Sequence, residues 1–187
     1  MGRLRRIVGA AIRLMQGLVL YRCIGRCLFA RGVTIRETTN ADKPAVQRWL
    51  NPADANLEHG LSRNPNVTDW VAYWRGRLAG FVQLVRHPPE HSPYIGYWLF
   101  SLYVKSPFKR AGIGEKLSRV VIDRACVEGA PTLDLQVFND NFRAIQLYRK
   151  LGFEMQIIPE LEPRLVSEAT PTGRRRVVMR KRLEKQG

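Results

Sequence analysis

From Tyr94 to Ala125 an apolar strand-like run, a basic loop bearing two glycines and an amphipathic helical pattern follow one another directly, and this order constrains the fold more than any other feature of the chain. Tyr94 to Val104 is long, aromatic and aliphatic, which predicts a strand at the centre of a sheet. Ile113, Leu117, Val120, Val121 and Ala125 then recur at the spacing of one helix face. The loop between them, Lys109-Arg110-Ala111-Gly112-Ile113-Gly114, offers backbone N–H groups, a helix N-terminus and two cations to a phosphate. Gly112 and Gly114 let the backbone approach a ligand closely and take angles that side chains resist. A glycine pair before a helix also serves as a plain tight turn, so the loop does not identify a site by itself.

The rest of the chain alternates strands and helices. Val33 and Ile35 alternate with polar neighbours, and Thr39-Asn40 is placed to cap a helix that buries Ala45, Val46, Trp49 and Leu50. Asn51 to Thr68 reads as loop with a short helix around Leu57 to Leu61, and Asp69 to Trp74 and Leu78 to Val85 as a hairpin across Arg75-Gly76-Arg77. After the His87 to Pro93 connection and the strand–loop–helix unit come a strand over Thr132 to Phe138, a helix over Phe142 to Leu151 ended by Gly152, and a strand over Phe153 to Ile158. A Glu- and Pro-containing loop leads to a last strand over Arg175 to Leu183. With 187 residues and 45% hydrophobic content, one α/β domain with a real core fits, and two do not.

Residues 1–32 differ from the rest: seven arginines and no acidic residue supply nearly half of the net charge of +15. Leu4, Ile7, Val8, Ala11, Leu14, Met15, Leu18 and Val19 share one helical face, and the phase shifts beyond Leu20, which predicts a basic amphipathic helical extension in two pieces. Its longest charge-free stretch, Leu14 to Tyr21, is far short of the ~20 residues of a spanning helix. Arg13 and Arg22 interrupt the apolar part of a signal peptide, and Arg6 stands where a myristoylation pattern needs serine or threonine. Such a segment suits peripheral contact with an anionic membrane, packing on its own domain, or a homodimer contact. Cys23, Cys27 and Cys126 are too few for a disulfide framework, which favours a reducing, cytoplasmic location with or without membrane-surface association. His59, His87 and His91 show no zinc-ligand spacing with them, so no metal is expected.

A second motif begins at Asn141 and ends at Gly152-Phe153. Asp140 or Asn141 can cap its helix, Ala144 leaves a small surface past which a ligand chain can run, and Tyr148 lies two turns beyond Asn141 on the same side. Alone, Tyr148 reads as a packed helix tyrosine; its partners favour a catalytic one.

With these motifs the chain resembles the GNAT superfamily of acetyl-CoA-dependent N-acetyltransferases. The resemblance covers roughly Val33 to Leu183 and rests on Leu102-x-Val104, the glycine loop, Leu135-x-Val137, Asn141-x-x-Ala144, Leu147-Tyr148, Gly152-Phe153 and the closing Val178 to Leu183. It implies an α/β (α+β) domain over 33–187 with a central mixed, mostly antiparallel sheet flanked by helices. It also implies acetyl-CoA as acyl donor, with the backbone of Leu102, Tyr103 and Val104 beside the pantetheine and thioester. Lys109, Arg110, Ala111, Gly112, Ile113 and Gly114 would hold the pyrophosphate, Asn141 and Ala144 the cofactor arm, and Tyr148 would protonate the departing thiolate. Oriented donors and a phenol suit direct attack by an amine, without an enzyme nucleophile.

Two positions depart from the family pattern. Lys109 stands where Gln or Arg is usual, keeping charge but losing the planar fork. Gln136 stands where members acting on protein N-termini carry Glu, and an amide cannot accept a proton as a base. Candidate bases are therefore Glu90, His91, Tyr103, Asp54, Glu58 and His59. Acceptor choice is expected in Asn51 to Thr68, His87 to Pro93 and Glu160 to Thr172, which carry no substrate signature. The expected activity is acetyl transfer to a primary amine in a ternary complex. The competing reading is a basic membrane- or nucleic-acid-associated binding module retaining the fold. Specific nucleic-acid binding is disfavoured, because Trp98, Phe100 and Tyr103 sit in an apolar strand rather than among cations.

Overall fold

A computed structural model of the chain describes residues 32–48 and 64–184. The expected N-terminal helices, the burial of Trp49 and Leu50, the short helix around Leu57, and Asp54, Glu58 and His59 lie outside the described residues.

The strands are β1 Val33–Glu37, β2 Val67–Trp74, β3 Arg77–His87, β4 Gly96–Val104, β5 Thr132–Phe138, β6 Glu154–Gln156 and β7 Arg176–Arg182; the helices are α1 Lys43–Gln47, α2 Ile113–Val127, α3 Phe142–Lys150 and α4 Glu162–Ser167. One seven-stranded sheet runs in the order β1-β2-β3-β4-β5-β7-β6. Every neighbour pair is antiparallel except β4 and β5, so the sheet is mixed and mostly antiparallel, with β4 at its centre as its composition predicts. The β2–β3 hairpin turns through Arg75 and Gly76, both at positive φ, which matches the right-handed twist of its strands.

Helices cover both faces. On one face α2 buries Ile113, Leu117, Val121 and Ala125 in a common cluster with Ile145, Tyr148 and Leu151, around α3, and with Leu99, Leu133 and Leu135 of the sheet. The opposite face holds Val46 of α1 against Val71 and Phe81, and Leu161 and Leu165 around α4 against Trp98 and Val178. Trp98 and Leu99, neighbours in β4, fall in clusters on opposite faces, as the period-two rule of a sheet buried on both sides requires.

Three details differ from the sequence reading. α1 starts at Lys43, with Asp42 as its N-terminal residue instead of Thr39 or Asn40. The Asp42 carboxylate caps no helix amide and accepts instead from Arg36 at 2.7 and 2.8 Å, from the Thr39 amide and hydroxyl, and from the Tyr73 hydroxyl at 2.6 Å. The Arg36 guanidinium, ahead of these neutral donors, holds that carboxyl well below the usual carboxylate range. The segment read as a Glu- and Pro-containing loop contains α4, whose Leu161 and Leu165 recur one turn apart and are buried; a single apolar repeat is too short to announce a helix. Finally, β2 begins at Val67, inside the stretch read as loop.

Candidate functional site

The parallel pair is short. β4 and β5 are in register only at Tyr97–Leu133, Trp98–Asp134 and Leu99–Leu135, while each strand continues beyond the last of these pairs. The cause lies in β4. Between Phe100 and Tyr103 it carries one residue more than β3 opposite, where Gln83 pairs with Phe100 and Phe81 with Tyr103, and Ser101 takes φ 52°. This bulge bends the strand and shifts its side-chain phase by one. Leu99 and, past the bulge, Leu102 and Val104 therefore all pack on the α2 and α3 face, while Tyr103 is exposed. The Lys105 amide donates to Ala79 at 3.0 Å. Strand alternation then turns the amides of Leu102 and Val104 away from β3, into the gap that β5 leaves.

The glycine loop meets this gap. Lys109 and Arg110 are exposed, Arg110 adopts φ 67°, and Gly112 at φ 78° is the N-terminal residue of α2. No side chain caps that end, so the first-turn amides, which have no partner inside the helix, remain for a ligand. A Cβ on Gly112 would meet nothing within 4 Å, so its glycine answers to the backbone angle and not to crowding. A Cβ on Gly114 would lie 3.5 Å from Leu147 and 3.7 Å from Val104, which puts the loop, the free end of β4 and α3 within van der Waals reach of one another. Ala111 and Ile113 are buried and anchor the loop to the core. Glu115 accepts from Lys150 at 2.6 Å and ties the first turn of α2 to the end of α3.

On α3, Asn141 caps the helix by accepting from the Ala144 amide at 3.2 Å, leaving its side-chain NH₂ as donor. Asp140, the other capping candidate, pairs with Arg174 at 2.9 Å. Ala144 is half-buried and packs on the core. Tyr148 is buried edge-to-face against Phe153 at 5.8 Å. Burial pushes its phenol far above the ordinary tyrosine value, so the hydroxyl keeps its proton throughout the working pH range.

On the opposite face a pocket of ≈ 390 Å³ opens beside the point where β4 and β5 part, with Phe100 and Gln136, the next residues after the last pair, in its lining. His87 lines it from the end of β3, Glu90, His91 and Tyr94 from the connection into β4, and Arg164 and Arg176 from α4 and β7. Two of the loops expected to choose an acceptor thus converge here. Of the candidate bases, Glu90 and His91 are in the wall, and Tyr103 is not among the lining residues. Sequence reasoning missed Arg176 and Phe100, which lie in strands read for packing alone. Among the described residues no His, Cys, Asp and Glu cluster could hold a metal ion, and no helix is long and apolar enough to cross a membrane.

The sequence profile described as Acetyltransferase (GNAT) family matches residues 33–153. An uncharacterized N-acetyltransferase YvbK of Bacillus subtilis (strain 168) is 25% identical over 126 residues, covering 67% of this chain and 76% of that protein. The L-amino acid N-acetyltransferase AaaT of Escherichia coli (strain K12) is 29% identical over 109 residues, covering 57% and 65%. Among solved structures, the ribosomal-protein-S18-alanine N-acetyltransferase of Escherichia coli superposes with a TM-score of 0.64 at 23% identity, covering 83% of this chain and 96% of that one. A Bacillus subtilis acetyltransferase in complex with CoA does so with a TM-score of 0.58 at 20% identity, covering 81% and 98%.

Proposed function

The chain belongs to the GNAT acetyltransferase family, and from that premise we propose that it transfers the acetyl group of acetyl-CoA to a primary amine by direct attack in a ternary complex. The observation that carries this reading is the gap between β4 and β5, which leads on one face to the glycine loop and on the other to the pocket at Phe100 and Gln136. Donor and acceptor can then approach the same stretch of β4 backbone from opposite sides.

In this reading the amides of Ala111 to Gly114, with Lys109 and Arg110, bind the pyrophosphate of acetyl-CoA. The gap-facing backbone of Leu102 to Val104 aligns the pantetheine and polarises the thioester carbonyl. Asn141 donates to the cofactor arm, and Ala144 leaves it room. The amine attacks the thioester carbon, the carbonyl oxygen becomes an oxyanion held by backbone N–H, and the C–S bond breaks as Tyr148 gives its proton to the departing thiolate. The proton of the incoming ammonium leaves through pocket water past Glu90 and His91 on that wall; Gln136 takes none.

The test follows thiol release from acetyl-CoA with the full-length protein across amines of different class: amino acids, peptides, polyamines, amino sugars and aminoglycosides. Turnover with at least one class, and CoA binding without any acceptor, is expected. No turnover on any amine together with no CoA binding refutes the reading.

A further inference from the structure

The pocket wall formed by α4 and β7 holds two guanidiniums and is built around one carboxylate. Arg176 directs both Nε and Nη2 to the same oxygen of Glu168, and Arg164 donates from Nε to the other oxygen at 3.2 Å. Arg164 also lies over the Tyr94 ring, 5.8 Å from its centroid. Two cations thus share one anion, and Glu168 is drawn below its ordinary value by them against the opposing effect of burial. Arg176 is only 22% exposed, yet these bonds engage two of its five N–H donors. Its Nη1 amine and second Nη2 hydrogen have no acceptor among the described residues, although the residue lines a cavity.

A half-buried guanidinium with unused coplanar donors is matched best by a carboxylate, which it engages through two parallel bonds. A polycationic acceptor would bring like charge to this wall. The register gives the position: Arg176 pairs with Phe138, two residues along β5 from Gln136, about 7 Å from the row where the strands part. That step lies within the reach of one small molecule bearing both an amine and an acid. Resting on the acetyl-transfer reading above, we propose that the acceptor is a primary amine that also carries a carboxylate, and that Arg176, supported by Arg164, binds that carboxylate while the amine points to the thioester. Arg176 is then a specificity-determining residue, separate from the donor site.

The experiment compares an amino acid active in the panel, or glycine where none is active, with its primary amide, using wild type, Arg176→Gln and Arg176→Lys. The acid is expected to exceed its amide in kcat/KM by at least about tenfold. Arg176→Gln should raise KM for the acid by a similar factor, leave the amide and acetyl-CoA values unchanged, and remove the preference; Arg176→Lys should retain part of it. Glu168→Gln, which releases both guanidiniums, should lower KM for the acid. Titration of the N-acetylated amino acid into the CoA-bound protein reads the same site without turnover, and its affinity should fall in Arg176→Gln. Equal use of acid and amide, or an Arg176→Gln defect that falls equally on both, overturns the proposal. If no amine turns over but the product acid binds and Arg176→Gln abolishes it, the anion site stands and acetyl transfer fails.

Discussion

Asp69 sits on β2 beneath the sheet face that bears the pocket, and its carboxyl is pushed up from 3.8 to about 6, chiefly by burial; the Gln83 amide, donating at 2.9 Å, and the charge of Lys43 oppose the shift without cancelling it. A group whose folded pKa lies above its unfolded value binds more protons in the native state. Its contribution is fully present below pH 3.8 and is lost as pH rises through about 6. A displacement of roughly two units corresponds to about 3 kcal/mol at 1.36 kcal/mol per unit, an upper figure for the cost of holding the carboxylate at pH 7.5. Asp69→Asn keeps an oxygen for Gln83 and has no charge to desolvate. We expect it to stabilise the fold by up to about 3 kcal/mol at pH 7.5 and by close to nothing at pH 4.

Urea unfolding of wild type and Asp69→Asn at pH 4, 5, 6 and 7.5, with the two slopes checked for equality, measures this difference directly. Asp42 is shifted the opposite way, so its stabilisation is lost as pH falls, but it is common to both proteins and cancels in the comparison. A stability difference independent of pH, or an Asp69→Asn protein weakened more at pH 7.5 than at pH 4, would refute the assignment of a strained carboxylate to Asp69.

Three further outcomes test the site and its frame. Tyr148→Phe should slow thiol release by roughly 10²–10⁴-fold with unchanged CoA affinity, since only the proton donor is removed; isothermal titration beside single-turnover kinetics separates the two effects. Gly112→Val imposes a β-branched side chain on a backbone at φ 78°, so it should cost about 1–3 kcal/mol in thermal unfolding and weaken CoA binding as the loop shifts. Arg180→Met strips the two 2.7 Å bonds from Asp134, which is 3% exposed, and should destabilise by about 3 kcal/mol, whereas Arg180→Met combined with Asp134→Leu should recover much of the loss in denaturant titrations.

The glycine loop, the strand before it and the tyrosine helix were legible because each is local: Gly112 answers to its own φ, Asn141 caps its own helix, and Ile113, Leu117 and Val121 follow one period. What escaped the sequence depends on pairing. The bulge at Ser101 is a mismatch in count between β4 and β3 and leaves no mark in β4 alone. Arg176 becomes a pocket residue only because β7 inserts between β5 and β6, against the order of the chain. Asp42 draws on Arg36 and Tyr73 from two other elements, which no cap pattern records.

The bulge also accounts for the glycine loop and the pocket lying on opposite faces. Were the same residues of β4 to alternate regularly, with no bulge, Leu102 and Val104 would face the pocket with Phe100. With it, Phe100 lines the pocket while Leu102 and Val104 seal the gap against α2 and α3. A single inserted residue thus opens the gap and assigns its two entrances. On the proposed reading, variation on the pocket side, at Glu90, Arg164 or Arg176, would change the acceptor without moving the backbone assigned to the thioester.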